Sequence, residues 1–322
     1  MRGVAASLAR RARWRLVEVV FWVVAFALLW VPSGRHLILN EIAILALFAL
    51  SLDLILGYAG IVSLGHAAFL GLGAYAAGLT AKHLTGDPLA GLGIAILVAA
   101  SLGFLTSFLV LRGSDLTRLM VTLGVASVMG EIANALPSVT GGADGLQGVV
   151  MAPLLGRFDF DLGGHTAYAY SLTTLFVLFF IARRVVYSPF GLSLMAIRRN
   201  RLRAAALGTP VNARLVAVYT LGAAYAGAAG ALLAQTTQFV SLDMFDFHRS
   251  ADVLLVLIIG GAGWLYGGIA GAIVYKALQD GLATLTPQHW QLWIGLFLVV
   301  FVLIGRERMS GGVRAVLARV GR

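Results

Sequence analysis

The 322-residue sequence has no cysteine, two lysines and fourteen acidic residues. Without cysteine there is neither a disulfide framework nor a thiolate metal site. The lysines are Lys82, after Ala81, and Lys276, after Tyr275. A phosphate-binding loop ending in Gly-Lys-Ser/Thr is therefore impossible, and the chain cannot be its own P-loop ATPase. HExxH and GxSxG are missing, and Asp144 lacks the preceding Gly-x-Gly of intramembrane aspartyl proteases. No catalytic residue, metal site or bound cofactor is expected. Charged residues make up only 12% of the chain, too few for the surface of a soluble domain.

What is abundant is apolar: 60% of residues are hydrophobic and the mean hydropathy is +0.91, so the outer solvent is mostly lipid. A span across about 30 Å of hydrocarbon takes about 20 residues. Apolar stretches at 19–30, 38–56, 66–82, 89–111, 118–136, 165–182, 215–234, 251–262, 266–283 and 290–305 predict an all-α polytopic bundle of about ten transmembrane helices. The first follows Arg2, Arg10, Arg11, Arg13 and Arg15 and ends in Val31-Pro32-Ser33-Gly34-Arg35 without a small-x-small pattern. It reads as an uncleaved span, in preference to a signal or transit peptide. With the amino terminus inside, nineteen of the 24 basic residues fall on the cytoplasmic side, seven of them between 183 and 214. That bias predicts an N-in/C-in topology and accounts for the net charge of +10 through loops facing anionic lipid, with no need for nucleic acid. The organisation expected is a basic cytoplasmic terminus over 1–15, a transmembrane body over 16–305 with a cytoplasmic loop at 183–214, and a basic cytoplasmic tail over 306–322. Two five-span halves of inverted topology remain open.

Four segments break the apolar pattern. Residues 57–74, GYAGIVSLGHAAFLGLGA, carry glycines that would each cost an ordinary helix about 1 kcal/mol relative to alanine. Either the helix is broken there, with Gly57, Gly60, Ser63 and His66 lining a path, or the glycines let neighbouring helices approach and His66 is a packing residue. IGGAGWLYGGIAGA at 259–272 has close-packing spacing at Gly267 and Gly271, as do Ala223, Gly227 and Ala231. SPFGLSLMAIRRNRLRAAALG at 188–208 is helix-compatible after Pro189 and Gly191. Leu192, Met195, Ile197, Leu202 and Leu207 could form one face and Arg198, Arg199, Arg201 and Arg203 another. It would lie on anionic lipid or dock into a cytoplasmic partner. TGGADGLQG at 140–148 and the loop 235–250 are solvated turns or contacts for a delivered ligand.

Six ionisable residues lie in or at the ends of spans: Glu41, Asp53, Glu131, Asp252, Lys276 and Asp280. Each would cost about 2.5–3.5 kcal/mol at a span centre. Glu41, Glu131 and Asp252 lie near predicted outer ends, and Lys276 and Asp280, four apart, can neutralise each other. Asp53 has no such explanation, and Asp53 or Glu131 could serve an ion-coupled carrier working alone.

These segments, taken in order, resemble a known family. GYAGIVSLGHAAF at 57–69, LRGSDLTRLMVTLG at 111–124, TGGADGLQG at 140–148, the 188–208 segment and IIGGAGWLYGGIAGA at 258–272 are similar to successive blocks of the permease subunits of bacterial branched-chain amino acid ABC importers, specifically the longer of the two permeases. The resemblance implies a second homologous permease, two cytoplasmic ATPase subunits that bind the ATP, and a periplasmic substrate-binding protein. It also implies an ATPase-coupling segment carrying Gly191, Arg198, Arg199, Ala204, Ala205, Ala206 and Gly208. Relatives usually carry an acidic residue shortly before the alanines, where this chain has Arg199, Asn200, Arg201 and Arg203. Ile61 stands where Gln is usual, and GRERMSGG at 305–312 replaces the usual Arg-Pro-Arg-Gly ending. Urea, short amides and other small polar solutes are carried by permeases of the same type.

Overall fold

The computed structural model describes residues 14–299, except 32–34, 162, 286, 288, 290, 291 and 298. Most of the basic terminus, most of the tenth apolar stretch and the 306–322 tail lie outside the described residues. The described chain is built on the α-helices α1 (Leu16–Ala27), α2 (His36–Leu52), α3 (Ala67–His83), α4 (Pro88–Val110), α5 (Asp115–Ala135), α6 (Pro137–Thr140), α7 (His165–Val186), α8 (Pro189–Arg199), α9 (Arg201–Ala206), α10 (Val211–Thr237), α11 (Phe247–Gly260) and α12 (Gly267–Leu285). A π-turn, Asp53–Tyr58, extends α2. The described chain has no strand, so the protein is all-α as its composition predicts.

Helix starts follow local chemistry. Asp87 accepts from the Leu89 N–H (3.2 Å) ahead of Pro88, and Ser188 accepts from the Phe190 N–H (3.2 Å) ahead of Pro189. Asn200 Oδ1 accepts from the Arg203 N–H (2.9 Å). In each case a polar cap satisfies a donor that the first turn leaves over, and in the first two proline occupies a position that needs no donor.

Among the described residues, five helices are long and apolar enough to cross a membrane: His36–Tyr58, Pro88–Val110, Asp115–Ala135, His165–Val186 and Val211–Thr237. Leu16–Trp30 is a shorter apolar helix. The His36–Tyr58 and Val211–Thr237 spans are 72% buried, against 28% for α4 and 22% for α5, so α2 and α10 form the centre and α4 and α5 face outward. Small residues hold that centre together. A methyl on Gly73 of α3 would overlap the Gly227 backbone of α10, one on Gly230 the Leu70 carbonyl, and one on Gly103 of α4 the Ala223 methyl. The small face predicted at Ala223, Gly227 and Ala231 is indeed a packing face, where backbone approach supplies dispersion contacts that lipid cannot.

Polar ties supplement it. Tyr170 Oη donates to Gln235 Oε1 (2.9 Å) while Gln235 Nε2 donates to the Pro88 carbonyl (2.8 Å), linking α7, α10 and the start of α4. Arg183 on α7 and Glu18 on α1 form a shielded ion pair at 2.9 Å. At the opposite end from α8 and α9, the Leu146 N–H donates to the Val240 carbonyl (2.7 Å), so the 140–148 turns and the 235–250 loop are joined. The chain divides into two compact units, Met1–Ala272 and Ile273–Arg322. Within the second, Lys276 Nζ is 3.1 Å from Asp280 Oδ1, the neutralising pair expected from their spacing.

The 188–208 segment departs from expectation. Asn200, at φ −160° and ψ 107°, splits it into α8 and α9. Leu194 and Ile197 turn into the bundle at 1% exposure, whereas Leu202 and Leu207 are 85% and 79% exposed. The single apolar face predicted across the segment therefore does not exist. A capping asparagine in an extended conformation redirects the second half.

Candidate functional site

The two glycine-broken segments meet. After Leu52, α2 widens into the π-turn Asp53–Tyr58, which ends at Gly60 with φ +71°. A widened turn shifts backbone carbonyls out of the regular ladder and makes them available to side chains. The second break, Gly260–Gly263, separates α11 from α12, with φ +97° at Gly261 and +83° at Gly263. The Gly263 N–H donates to Asp53 Oδ1 (2.7 Å), and Asp53 is wholly buried. Asp53 Oδ2 is buried without a hydrogen-bond partner among the described residues.

Arg198, near the end of α8, joins the same junction. Its Nη1 donates to the Gly57 carbonyl, and its charge lies within electrostatic range of Asp53. Glycine is required where these groups converge. A methyl on Gly57 would overlap Asp53 Oδ1 and lie 2.5 Å from the Gly263 nitrogen, and one on Gly60 would lie 3.0 Å from Arg198 Cγ. A buried carboxylate, two chain breaks and an arginine from α8 thus form one continuous polar junction. The Arg198 bond ties α8 to the broken span, and the Asp53 bond ties that span to the break before α12.

The link beyond Gly60 is clamped on both sides. The Leu64 N–H donates to Thr122 Oγ1 of α5 (3.2 Å) and the Ala67 N–H to Ser250 Oγ of α11 (2.9 Å). His66 is fully buried, stacked on Phe48 (centroids 5.4 Å apart) and edge-on to Phe69 (5.6 Å). Ser51 Oγ donates to the Phe48 carbonyl (2.5 Å) and lies 2.7 Å from His66 Nε2. His66 Nδ1 and Ser63 Oγ are buried without a hydrogen-bond partner among the described residues.

Of the residues singled out from sequence, Asp53, Gly57, Gly60 and Arg198 are brought together, although path and coupling residues were separate groups there. Ser63 and His66 lie buried on the adjoining link. Glu131 is exposed, about 20 Å along α5 from Arg118 at the helical rise. Gly191 and Ala204 are buried within this chain, Gly191 because a methyl would overlap the Val186 carbonyl. Arg199, Ala205 and Ala206 are exposed, and Gly208, at φ +82°, ends α9. Gly263, Ser51, Thr122 and Ser250 were missed. Gly263 was visible only as part of a packing block, and lone hydroxyls in apolar runs carry no signal. Among the described residues no group of three His, Asp or Glu side chains could hold a metal ion.

The arrangement suits a transporter subunit, and comparison with known proteins agrees. The chain is 28% identical over 308 residues to the high-affinity branched-chain amino acid transport system permease protein LivM of Escherichia coli K12, covering 89% of this chain and 72% of that protein. It is 28% identical over 299 residues to the LivM of Salmonella typhimurium LT2, covering 84% and 69%. No solved structure matches. Residues 35–304 match the family described as the permease component of the branched-chain amino acid transport system, and the chain, a multi-pass membrane protein, belongs to that family.

Proposed function

We propose that this chain is one of two permeases of an ATP-binding-cassette importer in a bacterial inner membrane, moving branched-chain amino acids delivered by a periplasmic binding protein. It has about ten spans with both termini inside, and α8 and α9 face two cytoplasmic ATPase subunits. The permease itself hydrolyses nothing. The observation that carries this reading is the hydrogen bond from Arg198 on α8 to the Gly57 carbonyl of the broken span, beside the Asp53–Gly263 bond. ATPase closure pushes α8, the junction shifts the two chain breaks together, and access passes from the periplasmic to the cytoplasmic side.

The test is a detergent pull-down of the tagged chain from its native membrane, followed by leucine uptake in proteoliposomes of the recovered complex. A second permease, two P-loop proteins and uptake that requires ATP are expected. Recovery of the chain alone, with uptake that collapses on adding a protonophore while ATP is maintained, would instead make it an ion-coupled carrier using Asp53. Uptake of urea or short amides in preference to leucine would correct the solute only.

A further inference from the structure

Two arginines beside the α8–α9 turn are not balanced by acid. Arg118, in the first turn of α5, is 5% exposed. Its Nη1 is 2.6 Å from Asp115 Oδ1, but its Nε is buried without a hydrogen-bond partner among the described residues. Arg201, the first residue of α9, lies within electrostatic range of both Arg118 and Asp115, and its Nη2 is likewise buried and unpartnered. Burial and the neighbouring Arg118 charge both push the Arg201 guanidinium below its usual range, with Asp115 opposing them. One carboxylate, 75% exposed, faces two guanidinium groups. Residues 162–242 contain no acid that could be the second. Unpartnered buried guanidinium nitrogens are costly, and the group that suits their planar donors is another carboxylate or a phosphate.

The same turn borders a groove of about 720 Å³ between α8 and α9. Leu192, Met195 and Leu207 supply apolar wall, and Arg199 and Arg203 are basic. Lipid is a poor fit as occupant, because the apolar side of α8 at Leu194 and Ile197 is already committed to the bundle, so α8 does not lie on a bilayer by that face. A protein surface with an apolar knob and flanking acids matches both features.

We propose that Arg118 and Arg201 form a carboxylate subsite beside the α8–α9 groove, filled in the assembled transporter by an acidic side chain of the cytoplasmic ATPase subunit. The proposal rests on the importer reading above. It adds the sign and position of the contact: the second acid of this interface comes from the partner, because this chain sets the single carboxylate of Asp115 against two guanidinium groups there.

The test uses the full-length chain in phosphatidylcholine nanodiscs and the P-loop subunit that copurifies with it. Arg201→Gln, at a half-buried position, is expected to leave the elution profile unchanged, weaken subunit binding about tenfold or more, and flatten its salt dependence. Arg201→Lys should recover part of the loss. Asp115→Asn removes the competing carboxylate and should tighten binding about threefold, an increase that misfolding cannot produce. Unchanged affinity and salt slope in Arg201→Gln would overturn the subsite while leaving the importer reading intact. So would a loss confined to phosphatidylglycerol nanodiscs, which would assign the site to a lipid phosphate. If no P-loop subunit copurifies, the importer reading fails and the subsite with it.

Discussion

Glycine serves two opposite purposes in this protein. In the α3–α4–α10 core, Gly73, Gly103, Gly227 and Gly230 lie inside regular helices, and the missing side chain lets another helix come close. At the junction, Gly57, Gly60 and Gly263 lie where helices are interrupted, and the missing side chain lets Asp53 and Arg198 reach backbone groups. The first use yields a dry, fixed contact whose cost of separation is lost packing. The second yields a few directional bonds with a buried carboxylate oxygen left over. A core of the first kind resists motion, whereas a junction of the second kind can exchange partners.

The largest effect expected is from filling the core. Gly73→Val places a branched side chain against the Gly227 backbone, which has no rotamer with which to yield. Overpacking costs about 1–3 kcal/mol where side chains can adjust, and more is expected against backbone. The variant should lose its monodisperse detergent peak on mild heating or fail to accumulate. A stable, active Gly73→Val protein would show that the core is looser than its geometry.

Next comes the junction, where the expected loss is of transport with folding kept. Arg198→Gln removes the charge and shortens the donor, and Arg198 is itself exposed near the end of α8, so assembly should survive. Uptake should fall about tenfold or more while ATP hydrolysis by the partner subunits continues, the signature of lost coupling. Asp53→Asn keeps an acceptor for the Gly263 N–H and should fall between wild type and Arg198→Gln in uptake, with thermal stability near wild type. Equal loss of stability and uptake in both variants would make the junction an ordinary packing contact and dissolve the contrast with the core.

Much of the core was legible in the sequence, because close packing leaves a periodic trace: Ala223, Gly227 and Ala231 recur at four-residue spacing. The broken segment at 57–66 was legible through glycines that no helix would choose. The junction was legible only in pieces. Asp53 stood out as an unexplained charge, and Arg198 as one of four similar arginines. Nothing along the chain says that residues 141 apart share a hydrogen bond. The break at Asn200 was missed for a local reason. Asparagine inside a helix-compatible run is compatible with continuation, and its capping role appears only when the backbone turns extended. Gly263 was read as packing because its neighbours Gly267 and Gly271 do pack, against Gly261 and Val256.

A smaller effect separates both glycine regions from ordinary helix capping outside the bundle. Asp161 precedes α7, and its two oxygens accept from the His165 N–H (3.2 Å) and the Thr166 N–H (2.9 Å). Slight burial pushes its carboxyl up, but the N–H groups of Thr166 and His165 outweigh this and hold it below the usual carboxylate range. A carboxyl lowered in the folded state contributes its stability above the unfolded pKa and loses it as pH falls through the folded value. The contribution should therefore be constant at neutral pH and begin to fall below about pH 4. Asp161→Ala should cost about 1 kcal/mol at pH 7, the usual worth of a cap, and nothing further as the solution is acidified. Thermal melts of the two proteins in detergent should then converge at low pH, with uptake by Asp161→Ala unchanged at pH 7. Melts that stay parallel down to pH 3 would mean that these bonds do not depend on the charge of the carboxylate. A loss of uptake at pH 7 would place the start of α7 in the moving part of the transporter, alongside the junction.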